Sequence, residues 1–431
     1  MLSPRLGPRP LPLHLASAAM LWLSSCAAWP LWRSGSLRLR AELDPHASAL
    51  AQSLAGIAPE AFAAALDAEL RHRGELFLSG LQRYRRHPYR RVLDDPPTLW
   101  QEGGTRLLDY GPASGIPVLI VPSLINRAYI LDLAPGKSLL RFLAEAGLRP
   151  LLVDWGRPGP AERRFALTDY IAGRLVRALD AVAAAAGGPL AVVGYCMGGL
   201  LALALAQLRE PSVAALALLA TPWDFHAERA GQARLLGALS DPLGDTFAAL
   251  GELPVDVLQT LFAALDPLLA LRKFSRFATL APGSVGEREF VAVEDWLNDG
   301  VPLALPVARD CLGGWYGENA PGRGVWEVGG AAVRPGRVRV PALVVLPAQD
   351  RIVPPATAAA LAAALPEAEV LRPPLGHIGM MVAREAPAAV WHPLGEWLLR
   401  HGEKVAGFQT RGRGLSKRGK RARTQRARTP R

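Results

Sequence analysis

The chain has 431 residues, half of them apolar and a fifth charged, so it exceeds one typical domain and can bury a large core. Its three cysteines, an odd number, exclude a disulfide framework and fit a reducing compartment. The net charge of +11 is local: residues 404–431 hold 11 of the 49 Lys and Arg and none of the Asp and Glu, which leaves the remainder balanced.

Residues 1–89 read as a helical N-terminal region. Arg5 and Arg9, an apolar stretch at 15–23 and Leu23-Ser24-Ser25-Cys26 mimic a lipoprotein signal with Cys26 as the lipidated residue. Pro10, Pro12 and His14 break the apolar segment and leave only about nine residues of it, so an amphipathic helix is the expectation, able to touch a surface or a partner. No stretch is expected to be long enough to span a membrane.

From Pro117 to about Ala220 apolar runs alternate with helical patterns, which predicts a parallel sheet covered on both faces. Residues 117–121 are the first strand of that series and 150–153 the next, with Asp154 at its end bracing loops. Thr168 then caps a helix whose stripe of Ile171, Leu175, Ala178, Leu179 and Val182 faces the core.

The hexapeptide Gly194-Tyr195-Cys196-Met197-Gly198-Gly199 lies between an apolar strand at 190–193 and a helical run at 200–206. This is the pattern of a nucleophile elbow, here with cysteine. A strand turning sharply into a helix lifts one side chain above the sheet, and Gly194 and Gly198 relieve the crowding on either side of it. The positive end of the helix then favours thiolate. An elbow of this kind implies an α/β-hydrolase fold, with the oxyanion donors supplied by backbone amides. Those expected here are Met197, after the nucleophile, and Leu124 or Ile125, in the loop after the 117–121 strand.

Asp224 follows the apolar run 214–220 and is one candidate acid. Residues 225–335 change to helical segments and a Gly- and Trp-rich stretch, Gly313-Gly314-Trp315-Tyr316-Gly317. An insertion here is where such a fold carries a lid; 235–239 and 257–271 are apolar enough to cover a site and form an acyl tunnel, and a packed helical cap without gating is the equal alternative. Cys311 reads as an ordinary buried thiol, and His226, beside the lid entrance, as the one further histidine worth testing. The sheet resumes at 342–346, whose end carries Asp350, and His377 follows in Pro373-Pro374-Leu375-Gly376-His377-Ile378-Gly379. Nucleophile, acid and histidine thus occur in the order of a hydrolase sheet, and the strand position favours Asp350 over Asp224. His377 would take the proton of Cys196 and Asp350 would fix its tautomer. The set calls for no cofactor and no metal. Divided this way, the core occupies 90–224 and 336–401, and 402–431 form a disordered basic tail able to touch nucleic acid or an anionic surface.

These motifs together resemble the poly(3-hydroxyalkanoate) synthases. The cysteine box at 194–199, Asp350-Arg351-Ile352-Val353-Pro354 and Gly376-His377-Ile378-Gly379 are similar to that family's nucleophile, acid and base loops. Pro122-Ser123-Leu124-Ile125-Asn126-Arg127, Asp154-Trp155-Gly156 and Thr221-Pro222-Trp223-Asp224-Phe225 resemble it too. The resemblance runs over about 117–382 and is closer to the short synthases that work with a partner subunit. It implies acyl transfer from 3-hydroxyacyl-CoA to a growing polyester, with Cys196, His377 and Asp350 as catalytic residues. It also implies a cytoplasmic enzyme at the polyester granule surface in a homo- or hetero-oligomer, with a second synthase subunit as a candidate partner. Near the expected oxyanion loop, Asn126 would orient the loop and Arg127 would meet a coenzyme A phosphate. The alternative from the same three residues is a thioesterase or depolymerase, in which water replaces the second hydroxyl. An intact Cys, Asp and His set argues against a third class, a non-catalytic surface protein.

Overall fold

Eight strands form one sheet in the computed structural model, which describes residues 5–406. In chain order they are β1 (Thr98–Glu102), β2 (Thr105–Asp109), β3 (Ile116–Val121), β4 (Leu148–Asp154), β5 (Leu190–Tyr195), β6 (Val213–Leu219), β7 (Ala342–Val345) and β8 (Ala368–Leu371). Across the sheet they run β1-β2-β4-β3-β5-β6-β7-β8; β2 is antiparallel to both neighbours and every other pair is parallel. This is the α/β-hydrolase fold.

The central strands are apolar throughout because both faces are covered. Leu119 and Val121 of β3 pack into one layer with the helix Met197–Leu208, while Val118 and Ile120 enter the other with Leu394 and Trp397 of the last helix, His392–Ala406. Cys196, at the sheet's edge, touches both layers. Register aligns the carboxyl ends: Tyr195 pairs with Leu219, Leu219 with Val345 and Val345 with Leu371. Every loop expected to carry chemistry therefore leaves one edge, where open α/β sheets place their ligands.

The stripe from Ile171 to Val182 is buried as expected. Its helix begins differently: Thr168 makes no side-chain cap, and Asp169 instead accepts from the Ala166 amide at 2.8 Å while Asp310 accepts from that of Leu167 at 2.9 Å.

The N-terminal region corrects two expectations. Leu11–Arg33 is one helix of 23 residues, with mean hydropathy 1.3 over 18 residues and 6% of that window buried, so by length and composition it reaches what crossing a membrane requires. Pro12 lies in its first turn, where a missing N–H costs nothing, and starts the helix rather than breaking it. Its apolar residues surround the axis, so it is not amphipathic. Met20, Trp22, Leu23 and Leu31 are exposed on it. A second helix follows at Asp44–Ser53, and the third, Pro59–Arg86, buries Phe77, Leu81 and Tyr84 against Phe274, Phe277 and Val291 in a separate apolar cluster. Arg5 fastens the chain's start with two bonds to Asp295, at 2.5 and 2.6 Å.

Between β6 and β7 lie the helices Ala230–Gly237, Ser240–Thr246, Val255–Ala263, Leu269–Ala278, Val285–Asn298 and Leu305–Arg309. The Gly- and Trp-rich stretch falls in a wide helical segment, Asp310–Gly317, where Trp315 stacks on Phe225 at 5.9 Å. The final helix extends to Ala406, past the expected start of the basic tail, and the rest of that tail lies outside the described residues.

Candidate active site

Strand β5 is buried at every position and ends at Tyr195. At Cys196 the backbone takes φ 58° and ψ −128°, which a non-glycine residue adopts only where its surroundings impose it. The close approach of helix to strands imposes it here. A Cβ on Gly194 would overlap the Gly199 backbone, and one on Gly198 would overlap the Val121 carbonyl and lie 2.7 Å from the Pro122 carbonyl carbon. The helix opens at Met197, so its first amides have no intrahelical acceptor and its positive end lies at the half-buried thiol.

Two further loops meet it. Asp350 Oδ1 accepts from the amides of Ile352 and Val353, each at 2.8 Å, which turns Oδ2 toward His377. His377 Nδ1 lies 2.7 Å from that oxygen, with side-chain exposures of 6% for the histidine and none for the aspartate. The other ring nitrogen is left for Cys196, whose charge acts on this imidazole. Burial alone would push the imidazole down, but the charge on Cys196 and the bond to Asp350 outweigh it and raise it to about 10. The site therefore favours the imidazolium form of His377.

The structure brings together Cys196, His377 and Asp350 and sets the rival carboxylate aside. Asp224 Oδ1 accepts from Asn319 Nδ2 at 2.8 Å and from the His226 amide at 2.9 Å, facing the insert. His226 in turn bonds the Tyr316 carbonyl at 2.8 Å. Asp154 braces its loop, accepting from Arg106 at 2.6 Å and from the Gly156 amide at 3.1 Å.

Of the expected oxyanion amides, that of Met197 opens the helix after the nucleophile and that of Leu124 lies in the loop after β3, the two side chains belonging to the same apolar layer. The Ile125 amide is already taken: it donates to Ser123 Oγ at 3.0 Å, closing a local hydroxyl turn. Asn126 has φ 64° and accepts from Gln259 Nε2 at 3.2 Å, so it ties this loop to the insert. Arg127 is half committed as well, donating to Asp299 at 3.1 Å while its carbonyl accepts from Trp296 Nε1 at 2.7 Å.

Tyr195 is the contributor that sequence reasoning passed over. Its ring stacks on the His377 imidazole at 5.1 Å, and its hydroxyl donates to the His377 carbonyl at 3.2 Å. Burial pushes that hydroxyl well up, with the Cys196 charge adding to it, so it remains a donor. The available signal was its place, the last residue of a strand beside the nucleophile.

A thiol, an imidazole held by a carboxylate, and the amides of a helix start are the parts that acyl transfer through a thioester uses. Residues 116–383 match the model of a family described as alpha/beta hydrolase fold. The chain is similar to the poly(3-hydroxyalkanoate) polymerase subunit PhaC of Synechocystis sp., at 32% identity over 65% of this chain and 78% of that one. It is 30% identical to the protein of the same name from Allochromatium vinosum, over 66% and 81%. To that of Haloferax mediterranei it is 28% identical over 71% of its own length, and there it spans only 64% of the relative. The elbow cysteine, its histidine and carboxylate, and these relatives together place the chain in the poly(3-hydroxyalkanoate) polymerase family of the α/β-hydrolase fold.

Proposed function

We propose that this chain transfers 3-hydroxyacyl groups from coenzyme A thioesters to a growing polyester through a thioester on Cys196. The observation that carries this is the His377–Asp350 pair, bonded at 2.7 Å and set against a cysteine on a strained elbow.

Cys196 Sγ attacks the thioester carbonyl, its proton held by His377, while Met197 and Leu124 amides meet the developing oxyanion. The bond to coenzyme A breaks and its sulfur leaves with that proton. Exchange of one thioester for another loses little driving force, so the acyl-enzyme stays reactive. The 3-hydroxyl of a second acyl group then gives its proton to His377 and attacks the acyl-enzyme; an ester forms and Cys196 Sγ is released. Asp350 holds the imidazole in the tautomer both steps need. Tyr195 supports the ring from beneath.

The helical insert between β6 and β7 acts as the cover of this site, and Asn126 ties the oxyanion loop to it through Gln259. Arg127, at the surface, meets a coenzyme A phosphate by exchanging Asp299 for it. The enzyme works in the cytoplasm at the polyester surface with a second subunit, a reading supported by the word subunit in its relatives' names.

The test is incubation with a 3-hydroxyacyl-CoA while coenzyme A release and insoluble polyester are followed together. Both should appear, and Cys196→Ala should abolish acyl labelling of the protein. Release with only free hydroxy acid would make it a thioesterase, and label surviving in Cys196→Ala would overturn the nucleophile.

A further inference from the structure

The last turn of the helix Val285–Asn298 is held from two sides, by parts of the chain far apart in sequence. Asp295 and Asn298, three residues apart, share one face of it, and Trp296 and Asp299 share another. Arg5 forks onto Asp295 with bonds of 2.5 and 2.6 Å, and its guanidinium also donates to the carbonyls of His87 at 2.5 Å and Tyr89 at 2.6 Å. That side chain is only 12% exposed, so the fork is stronger than a surface ion pair. The Arg9 amide donates to Asn298 Oδ1 at 3.0 Å. Residues 5–9 thus form a strap across the first face.

The second face meets the loop after β3. Trp296 is buried and donates its indole N–H to the Arg127 carbonyl at 2.7 Å, while Asp299 accepts from the Arg127 side chain at 3.1 Å. The residue before, Asn126, sits at φ 64°, a conformation that a residue with a side chain keeps only where its neighbours impose it. Leu124, whose amide is one of the two proposed oxyanion donors, lies two residues earlier. A loop strained in this way needs an anchor, and the turn at 296–299 supplies one. The strap fixes the turn from behind.

We propose that residues 5–9 hold the oxyanion loop in its working position through this turn, with Arg5 and Trp296 as positioning residues that act on the loop rather than on the reacting atoms. The inference rests on the acyl-transfer reading, and it separates two reactions of one thiol. Acylation of Cys196 builds negative charge on the thioester oxygen and needs the backbone amides in place. Alkylation by iodoacetamide joins Cys196 Sγ to a saturated carbon and expels iodide, so no oxyanion forms and only the supply of thiolate matters. A loosened strap therefore slows the first reaction and spares the second. Removing an oxyanion donor costs about 10²–10³ in turnover, and a donor displaced but still present should cost about tenfold.

The experiment compares wild type, Arg5→Gln and Trp296→Phe in first-turnover coenzyme A release from 3-hydroxybutyryl-CoA and 3-hydroxyoctanoyl-CoA, and in iodoacetamide alkylation of Cys196 followed by peptide mass. Trp296→Phe removes one N–H and keeps a ring in the buried site, so it decides the matter if Arg5→Gln does not fold. Each variant should lose about tenfold in kcat and in kcat/KM with KM unchanged, and should be alkylated at the wild-type rate. The two changes combined should cost less than the product of their separate effects, because they cut one path. Release and alkylation falling together, or release unchanged in both variants, would overturn the strap and leave the polymerase reading standing. A wild type that is alkylated at Cys196 yet releases no coenzyme A from either substrate would overturn the polymerase reading itself.

Discussion

Asp350→Asn is expected to disable acylation more severely than the loss of one charge suggests, because of how the two carboxylate oxygens are used. Oδ1 accepts from two backbone amides, Ile352 and Val353, at 2.8 Å. An introduced amide must keep its oxygen there, since its NH2 would oppose two fixed donors. That leaves the NH2 facing His377 Nδ1 at the position Oδ2 holds at 2.7 Å. Two donors cannot share one bond, so Nδ1 must become an acceptor and the ring proton moves to the nitrogen beside Cys196. In that tautomer the imidazole can neither take the thiol's proton nor persist as an imidazolium. The equivalent change in a serine protease triad costs about 10⁴ in kcat, or about 5.5 kcal/mol of barrier, and the same order is expected here. First-turnover release of coenzyme A from a 3-hydroxyacyl-CoA measures it directly. Asp350→Ala lacks the opposing donor and should lose no more than Asp350→Asn does. Retention of activity within tenfold of wild type in Asp350→Asn would refute the tautomer argument.

Gly198→Ala tests the elbow. The added Cβ would meet the carbonyl of Val121 and the carbonyl carbon and oxygen of Pro122, both at 2.7 Å, and all of these are backbone atoms of β3 or the loop after it. Overpacking against atoms that cannot rotate away should cost about 3 kcal/mol, and the displaced thiol should lower turnover about a hundredfold; a melting midpoint and rate both close to wild type would contradict the packing. The His377 titration gives a pH signature. Burial works against the imidazolium, yet Cys196 and Asp350 raise it to about 10 from the usual 6.5. A group raised on folding adds stability that is complete below its unfolded value and is lost as pH climbs through the folded one. The gap in melting midpoint between wild type and His377→Gln should therefore shrink between about pH 6.5 and 10. A gap that stays constant over that window would mean the imidazole is not held as a cation.

Much of the site could be read before the fold was seen, because punctuation and period carry over long distances. Glycines at 194 and 198 report a close approach, which the structure places against Gly199 and Val121. The apolar runs at 117–121, 190–193 and 342–346 become parallel strands, and their common register puts the loops of Cys196, Asp350 and His377 on one edge. The N-terminal helix was misread because proline was treated as a breaker wherever it occurs. Its effect depends on position: in the first turn the ring removes no intrahelical bond, so Pro12 opens a helix that continues to Arg33. The Ile125 amide was misassigned for a similar reason, since Ser123 two residues before it offers a hydroxyl that captures the donor locally.

Sequence order admits both Asp224 and Asp350 as the acid, with strand position favouring Asp350, and the reason two candidates arise lies in the sheet itself. β6 and β7 are neighbours in parallel register, Leu219 beside Val345, so a carboxylate a few residues past either strand emerges at the same edge. Strand position favours one of them only by habit of the fold. The choice is made by groups distant in sequence. Asn319, in the insert, takes up Asp224 and also accepts from the Phe225 amide at 2.9 Å, which ties that loop to the insert. Asp350 has no such competitor among the described residues: its own following amides occupy one oxygen and point the other at His377. Freeing Asp224 by Asn319→Ala should therefore loosen the insert and leave the His377 bond to Asp350 intact. The insert occupies the rival carboxylate through Asn319, while Asp350 by itself bonds His377 Nδ1 and sets its tautomer.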